Sequence, residues 1–117
     1  IDTLNILAAT LLGMRLAVAK LRSAALVLVD GTCCLRGLRQ PQWAVVDGDA
    51  QSLAVACASV IAKVTRDRMM KRLDRRYPGY GLAQHKGYGT RAHLAALRKR
   101  GPSPIHRLTF EPVRRAA

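Results

Sequence analysis

An α/β layer architecture, incomplete and with only two strands among its helices, is the fold class this sequence predicts. Three observations predict it. Apolar residues recur at helical spacing from Leu4 to Leu21. Two short β-branched runs each close on an Asp-Gly step, at Asp30-Gly31 and Asp47-Gly48. A long helical pattern follows the second run directly. The order helix, strand, strand, helix, glycine loop, helix fits alternating layers. Two strands make a poor sheet by themselves, so further strands are expected upstream, and residues 1–117 read as part of one domain.

The elements follow in order. Leu4, Leu7, Leu11, Met14, Val18 and Leu21 alternate spacings of three and four, which makes one helical face. Asp2 or Thr3 can cap its start. Ala25 to Val29 is a short apolar run, the pattern of a buried parallel strand. Gly31 to Gln42 reads as a loop, and Trp43 to Val46 as the second strand. Ser52 to about Arg76 predicts a long helix with a buried stripe at Leu53, Cys57, Val60, Ile61 and Val64. Ser52, Ala56, Ser59, Lys63 and Arg66 form a neighbouring polar stripe. Tyr77-Pro78-Gly79-Tyr80-Gly81 breaks that helix. A Gly-rich loop runs from His85 to Thr90, and Thr90 caps a helix from Arg91 to about Arg100. After Gly101-Pro102 the tail is expected to be extended and basic.

Composition narrows the partner. Twenty Lys and Arg stand against seven acids, a formal charge of +13, which favours a polyanion. Half of the residues are hydrophobic, so a packed core rather than disorder is expected. Arg15 and Lys20 interrupt the first apolar segment, and no basic helix carries a bulky aromatic face, so a membrane is not the expected partner. Cys33, Cys34 and Cys57 suit neither a disulfide framework nor zinc spacing and read as reduced thiols of a cytoplasmic protein. A chain that starts inside a periodic segment reads as truncated.

The acids at strand ends are the candidates for chemistry. Hydrolysis of a phosphodiester needs an activated water and a stabilised leaving oxygen, and a pair of divalent ions supplies both. Hard ions such as Mg²⁺ and Mn²⁺ take carboxylate oxygens, so Asp30 and Asp49 are candidate metal ligands. Both also fit ordinary Asp-Gly turns, and that alternative stays open. Asp67 stands four residues from Lys63 and from Lys71, the spacing of a surface ion pair. Lys63 and Arg66, with Ser59, are candidate phosphate contacts or a solvated helix face. Tyr88 stands between Gly87 and Gly89; its ring either stacks on a sugar or base, or fills the core under the loop. His85, His93 and His106 show no ligand spacing and read as surface or hydrogen-bonded histidines.

The blocks LNILAATLLGMRLAV, LVLVDG, AVVDGDAQS, ASVIAKVTRDRMM, YPGYGLAQHKGYGT and GPSPIHRLTFEPV, in that order, resemble the ribonuclease HII family, the type 2 ribonucleases H. Several blocks in order are more specific than one short motif. The resemblance implies a ribonuclease H-like mixed sheet flanked by helices. It implies an endonuclease that hydrolyses the RNA strand of RNA–DNA hybrids and ribonucleotides embedded in duplex DNA. Cleavage would fall 5′ of the ribonucleotide and leave a 3′-hydroxyl and a 5′-phosphate. Two Mn²⁺ or Mg²⁺ ions would serve a monomeric intact enzyme. By position, Asp30 and Asp49 correspond to the third and fourth metal-binding acids. Tyr88 corresponds to the residue that senses the RNA–DNA junction, and Ser59 and Lys63 to backbone contacts beside the site.

Two departures stand out. The family's Asp-Glu pair and Gly-Arg-Gly motif are not in this sequence, so the chain resembles a C-terminal fragment and its own activity is expected to be very low. Asp47 stands where the family usually has Lys. The alternative, which needs no family, is a non-catalytic basic module that binds nucleic acid through charge alone.

Overall fold

The computed structural model describes residues 1–116. The chain divides into two compact units, one of residues 1 and 3–61, the other of residue 2 and 62 onward. Helix α1 (Ile6–Ala19) opens the first unit. Its cap is Asn5, whose side chain accepts from the Ala8 amide at 3.0 Å. The expected cap was Asp2 or Thr3. Asp2 instead accepts from the Thr109 backbone amide at 3.3 Å and from the Thr109 hydroxyl, and that hydroxyl bond holds its carboxyl below the ordinary range. No residue of α1 is buried, and Leu4, Leu7, Met14 and Leu21 stay exposed. The helical period of the sequence is real, but its apolar face is only partly covered among the described residues: Leu11 and Val18 are half-buried and none is fully buried.

Strands β1 (Val27–Asp30) and β2 (Gln42–Val45) pair in parallel, with Val27 opposite Gln42 and Asp30 opposite Val45. Both predicted strands lie within two residues of these limits. Parallel pairing puts the C-terminal ends of both strands at one edge, which is where the candidate acids stand. The Gln42 side chain secures the connecting loop: its Oε1 accepts from the Leu35 amide at 2.6 Å and its Nε2 donates to the Leu35 carbonyl at 2.8 Å. Val29, Leu35 and Val55 are the buried apolar residues of this unit.

A short helix α2 (Gly48–Gln51) leads to the 24-residue helix α3 (Leu53–Arg76), with Ser52 extended between them. The predicted length of α3 holds, but its predicted buried stripe does not. Leu53 is 80% exposed, Val60 62% and Ile61 67%, with Cys57 and Val64 also exposed; Val55 is the buried residue of the helix. Periodicity reports that a helix is two-sided, and burial needs a partner surface as well.

The second unit holds the larger core. Tyr80, Leu82, Leu97 and Val113 are buried together, with Met70, Leu73, Tyr77 and Leu94 packed against them. Leu82 comes from helix α4 (Leu82–His85) and Leu97 from helix α5 (Arg91–Arg100). Thr90 caps α5 as expected, accepting from the His93 amide at 3.3 Å, and Gly101 ends it at φ 71°. The tail is not wholly extended: helix α6 (Glu111–Arg114), with Pro112 in its first turn, carries the buried Val113. Pro tolerates a first helical turn because that amide has no intrahelical partner.

Candidate functional site

Asp30 is the last residue of β1, and its carboxylate has a defined role. Its Oδ1 accepts from the Gly48 amide at 2.9 Å. Gly48 is buried, and a Cβ there would lie 3.3 Å from that same Oδ1 and 3.3 Å from Val55 Cγ1. The glycine thus allows the end of β1 to approach the start of α2 closely. Asp47, just before it, adopts the left-handed conformation at φ 50°, which an Asp tolerates better than most residues. This turn places Asp49 one residue beyond the amide that Asp30 holds. Both carboxylates are exposed. The turn reading and the ligand reading therefore meet in one geometry, since the Asp30 side chain stabilises the turn through one oxygen only.

Oxygen donors of this kind fit a hard divalent ion. Among the described residues, however, no group of three or more His, Cys, Asp or Glu side chains could hold a metal. Asp30 and Asp49 fit as part of a donor set, and no chemical step follows from these two alone.

Ser59 lies half-buried in the same unit on α3, and Lys63 stands one turn further along that helix. In the second unit, Lys63 Nζ donates to both oxygens of Asp67, at 2.7 and 2.8 Å, and this bond draws the Asp67 carboxyl below its ordinary range. The expected ion pair of Asp67 has Lys63 as its partner. Such an exposed pair contributes little net stability.

Tyr88 is 61% exposed, which overturns the alternative of a core tyrosine under the loop. The Arg66 guanidinium lies 4.9 Å from its ring centroid, and Arg66 Nη2 donates to the Lys86 carbonyl at 2.7 Å. The ring is thus backed by a cation that is itself fixed to the loop. Lys86 and Gly87 are both left-handed, at φ 52° and 81°. The two glycines beside Tyr88 differ. A Cβ on Gly87 would lie 3.2 Å from Met70 Cε, whereas one on Gly89 would meet nothing within 4 Å. Gly87→Ala is therefore expected to lower stability by about 1–3 kcal/mol, and Gly89→Ala to change it by under about 0.5 kcal/mol. Paired thermal melts check this, and equal effects would remove the special role of Gly87.

The three histidines come together. His85 and His93 are buried, with their rings stacked at 4.2 Å between centroids, and His93 Nε2 lies 3.1 Å from His106 Nε2. Sequence spacing gave no sign of this, because the three stand on α4, on α5 and in the segment after it.

The family pattern described as Ribonuclease HII matches residues 1–113. The chain belongs to the ribonuclease HII family. A Ribonuclease HII of Chloroflexus aggregans is 54% identical over 113 residues, which cover 97% of this chain and 53% of that relative. One of Rhizorhabdus wittichii is 55% identical over 114 residues, covering 97% and 56%. One of Coxiella burnetii is 52% identical over 115 residues, covering 97% and 56%. The chain thus spans about half the length of the curated relatives it matches, as the resemblance to a part of the ribonuclease HII domain implied. The parallel strand pair and six described helices are consistent with an incomplete α/β ribonuclease H-like fold. Among the described residues no helix is long and apolar enough to cross a membrane.

Proposed function

We propose that this chain carries part of the active site and the junction-sensing loop of a ribonuclease HII. That enzyme would be a cytoplasmic endonuclease that hydrolyses the RNA strand of RNA–DNA hybrids and single ribonucleotides in duplex DNA. The observation that carries the reading is the Asp30–Gly48 hydrogen bond, which draws the Asp30 carboxylate to the turn bearing Asp49. Asp30 and Asp49 are the residues that would take Mg²⁺ or Mn²⁺. The ions, when bound, would supply an activated water and charge stabilisation at the leaving 3′-oxygen. Tyr88 would pack on the sugar at the junction, with Ser59 and Lys63 contacting the phosphate backbone. A cut 5′ of the ribonucleotide, leaving 3′-hydroxyl and 5′-phosphate, belongs to this reading.

The second reading is a basic module that binds through charge alone, and the formal charge of +13 favours it. Affinity for a duplex with one embedded ribonucleotide, with and without Mn²⁺, separates the two. The nuclease reading expects Mn²⁺ to tighten binding, and Asp30→Asn and Asp49→Asn each to abolish the gain. The charge reading expects no metal effect. It expects only a steep loss with salt, about 10³-fold or more between 50 and 200 mM for six or more phosphate contacts.

A further inference from the structure

The backbone of Tyr88 is held from several sides. Its amide donates to the His85 carbonyl at 2.9 Å, and its carbonyl accepts from the Thr90 amide at 2.8 Å. The same carbonyl faces His93 Nδ1 at 3.0 Å. A carbonyl oxygen only accepts, so His93 Nδ1 carries a hydrogen and donates. The protonation of the neighbouring rings follows step by step. The Ser103 amide donates to His106 Nδ1 at 3.0 Å, so that nitrogen is an acceptor, and the Ser103 hydroxyl reaches the same nitrogen at 2.8 Å. A neutral His106 then bears its hydrogen on Nε2 and donates it to His93 Nε2. His93 Nε2 is therefore an acceptor, and His93 is neutral as well. His85 fits the same logic: its Nε2 donates to the Tyr80 carbonyl at 2.7 Å, and its Nδ1 accepts from the Gly87 amide at 3.2 Å. Each backbone partner fixes one ring nitrogen, and the whole set is satisfied in one arrangement of hydrogens.

We propose that His93 is a positioning residue for Tyr88: Ser103 and His106 hold it as the neutral Nδ1–H tautomer, which anchors the Tyr88 carbonyl and so aims the exposed ring. The role in nucleic-acid recognition rests on the reading of Tyr88 given above. Protonation of His93 breaks the relay, because His93 Nε2–H then faces His106 Nε2–H, donor against donor. The groups around His93 oppose that protonation. His85 stacks on it from α4, and His106 meets it from the segment after α5, with the Tyr80 ring 4.9 Å from His106. Arg66 of α3 sits over the Tyr88 ring. Among the described residues no carboxylate pairs with any of the three rings. Burial pushes both His93 and His106 below the ordinary histidine value; the neighbouring histidines add to this, and at His93 the bond to the Tyr88 carbonyl works against it.

The test has two arms on the full chain. Long-range ¹H–¹⁵N NMR at neutral pH reads the ring hydrogens without any variant. The expected result is Nδ1–H at His93 and Nε2–H at His106, and the opposite tautomer at either overturns the relay. The second arm measures affinity for a ribonucleotide-containing duplex relative to the all-DNA duplex of the same sequence. Tyr88→Ala should abolish the preference. His93→Asn, whose amide nitrogen sits where Nδ1–H does, should retain it. His93→Gln, which mimics the other tautomer, should reduce it by about threefold to tenfold, the worth of one hydrogen bond. In the unsubstituted chain the preference should fall as pH drops through the lowered His93 value, in step with His93 protonation seen by NMR. A preference unchanged by Tyr88→Ala defeats the reading of Tyr88 and the inference with it. A preference lost in Tyr88→Ala but equal in His93→Asn and His93→Gln, and flat with pH, defeats the inference alone.

Discussion

The 117-residue chain is expected to cleave a ribonucleotide-containing duplex at least about 10³-fold more slowly than a full-length ribonuclease HII in the same Mn²⁺ buffer. The reason is the donor count. Asp30 and Asp49 stand near one turn, but among the described residues no third ligand-type side chain joins them to close around an ion. Groups that act as a unit lose most of their effect when the unit is incomplete, so two carboxylates do not yield half the rate. The checking experiment is a single-turnover assay on a duplex with one embedded ribonucleotide, with a Coxiella burnetii-type full-length relative alongside. A rate within tenfold of that relative would mean that Asp30, Asp49 and residues outside the present candidates suffice.

Leu97→Ala is expected to destabilise the second unit by about 2–5 kcal/mol, a large part of the stability of a small domain. Leu97 is 2% exposed and packs with Tyr80, Leu82 and Val113, so truncation leaves a cavity in the largest buried cluster. The control is Val60→Ala, expected to stay within about 0.5 kcal/mol because that side chain is already 62% exposed. Amide hydrogen exchange of α5 reads the first effect directly. Comparable losses in both variants would show that Val60 is covered in solution.

The histidine relay adds a pH dependence with a definite sign. His93 and His106 have folded-state values below the ordinary one, so the folded chain binds fewer protons than the unfolded chain in the window just below about 6.5. Their contribution to stability is complete above that window and is lost as pH falls through it towards the lowered values.

What the sequence made legible follows from what local patterns encode. Helix α5 was readable in the sequence, from Arg91 to about Arg100, because Thr90 and Gly101 are both chemical punctuation. The strands were readable from β-branched runs and Asp-Gly steps. Helix α6 was missed although Pro112 in its first turn was a usable sign. The Asn5 cap was missed because Asp2 and Thr3 were the nearer candidates. The exposure of Leu53, Val60 and Ile61 could not be read, since periodicity says nothing about whether a covering surface is present. Within the candidate site, Asp30 and Asp49 were visible as residues but the Gly48 bond that relates them was not. The histidine relay was invisible for a deeper reason. His93 and His106 are thirteen residues apart with no periodic relation, and only the turn after α5 brings their rings within hydrogen-bonding distance.

The parallel pair β1–β2 has a consequence for handling this protein. Among the described residues, a two-stranded sheet with order β1-β2 leaves one flank of each strand without a ladder partner, and Trp43 on β2 is 64% exposed. Such a flank is a template on which another extended segment can lay down its own amides and carbonyls, one residue after the next. Neither strand carries a lysine or proline between its limits to blunt that edge. Concentrated samples should therefore gain β-structure at the expense of monomer, and a charged residue in place of Trp43 should slow that growth.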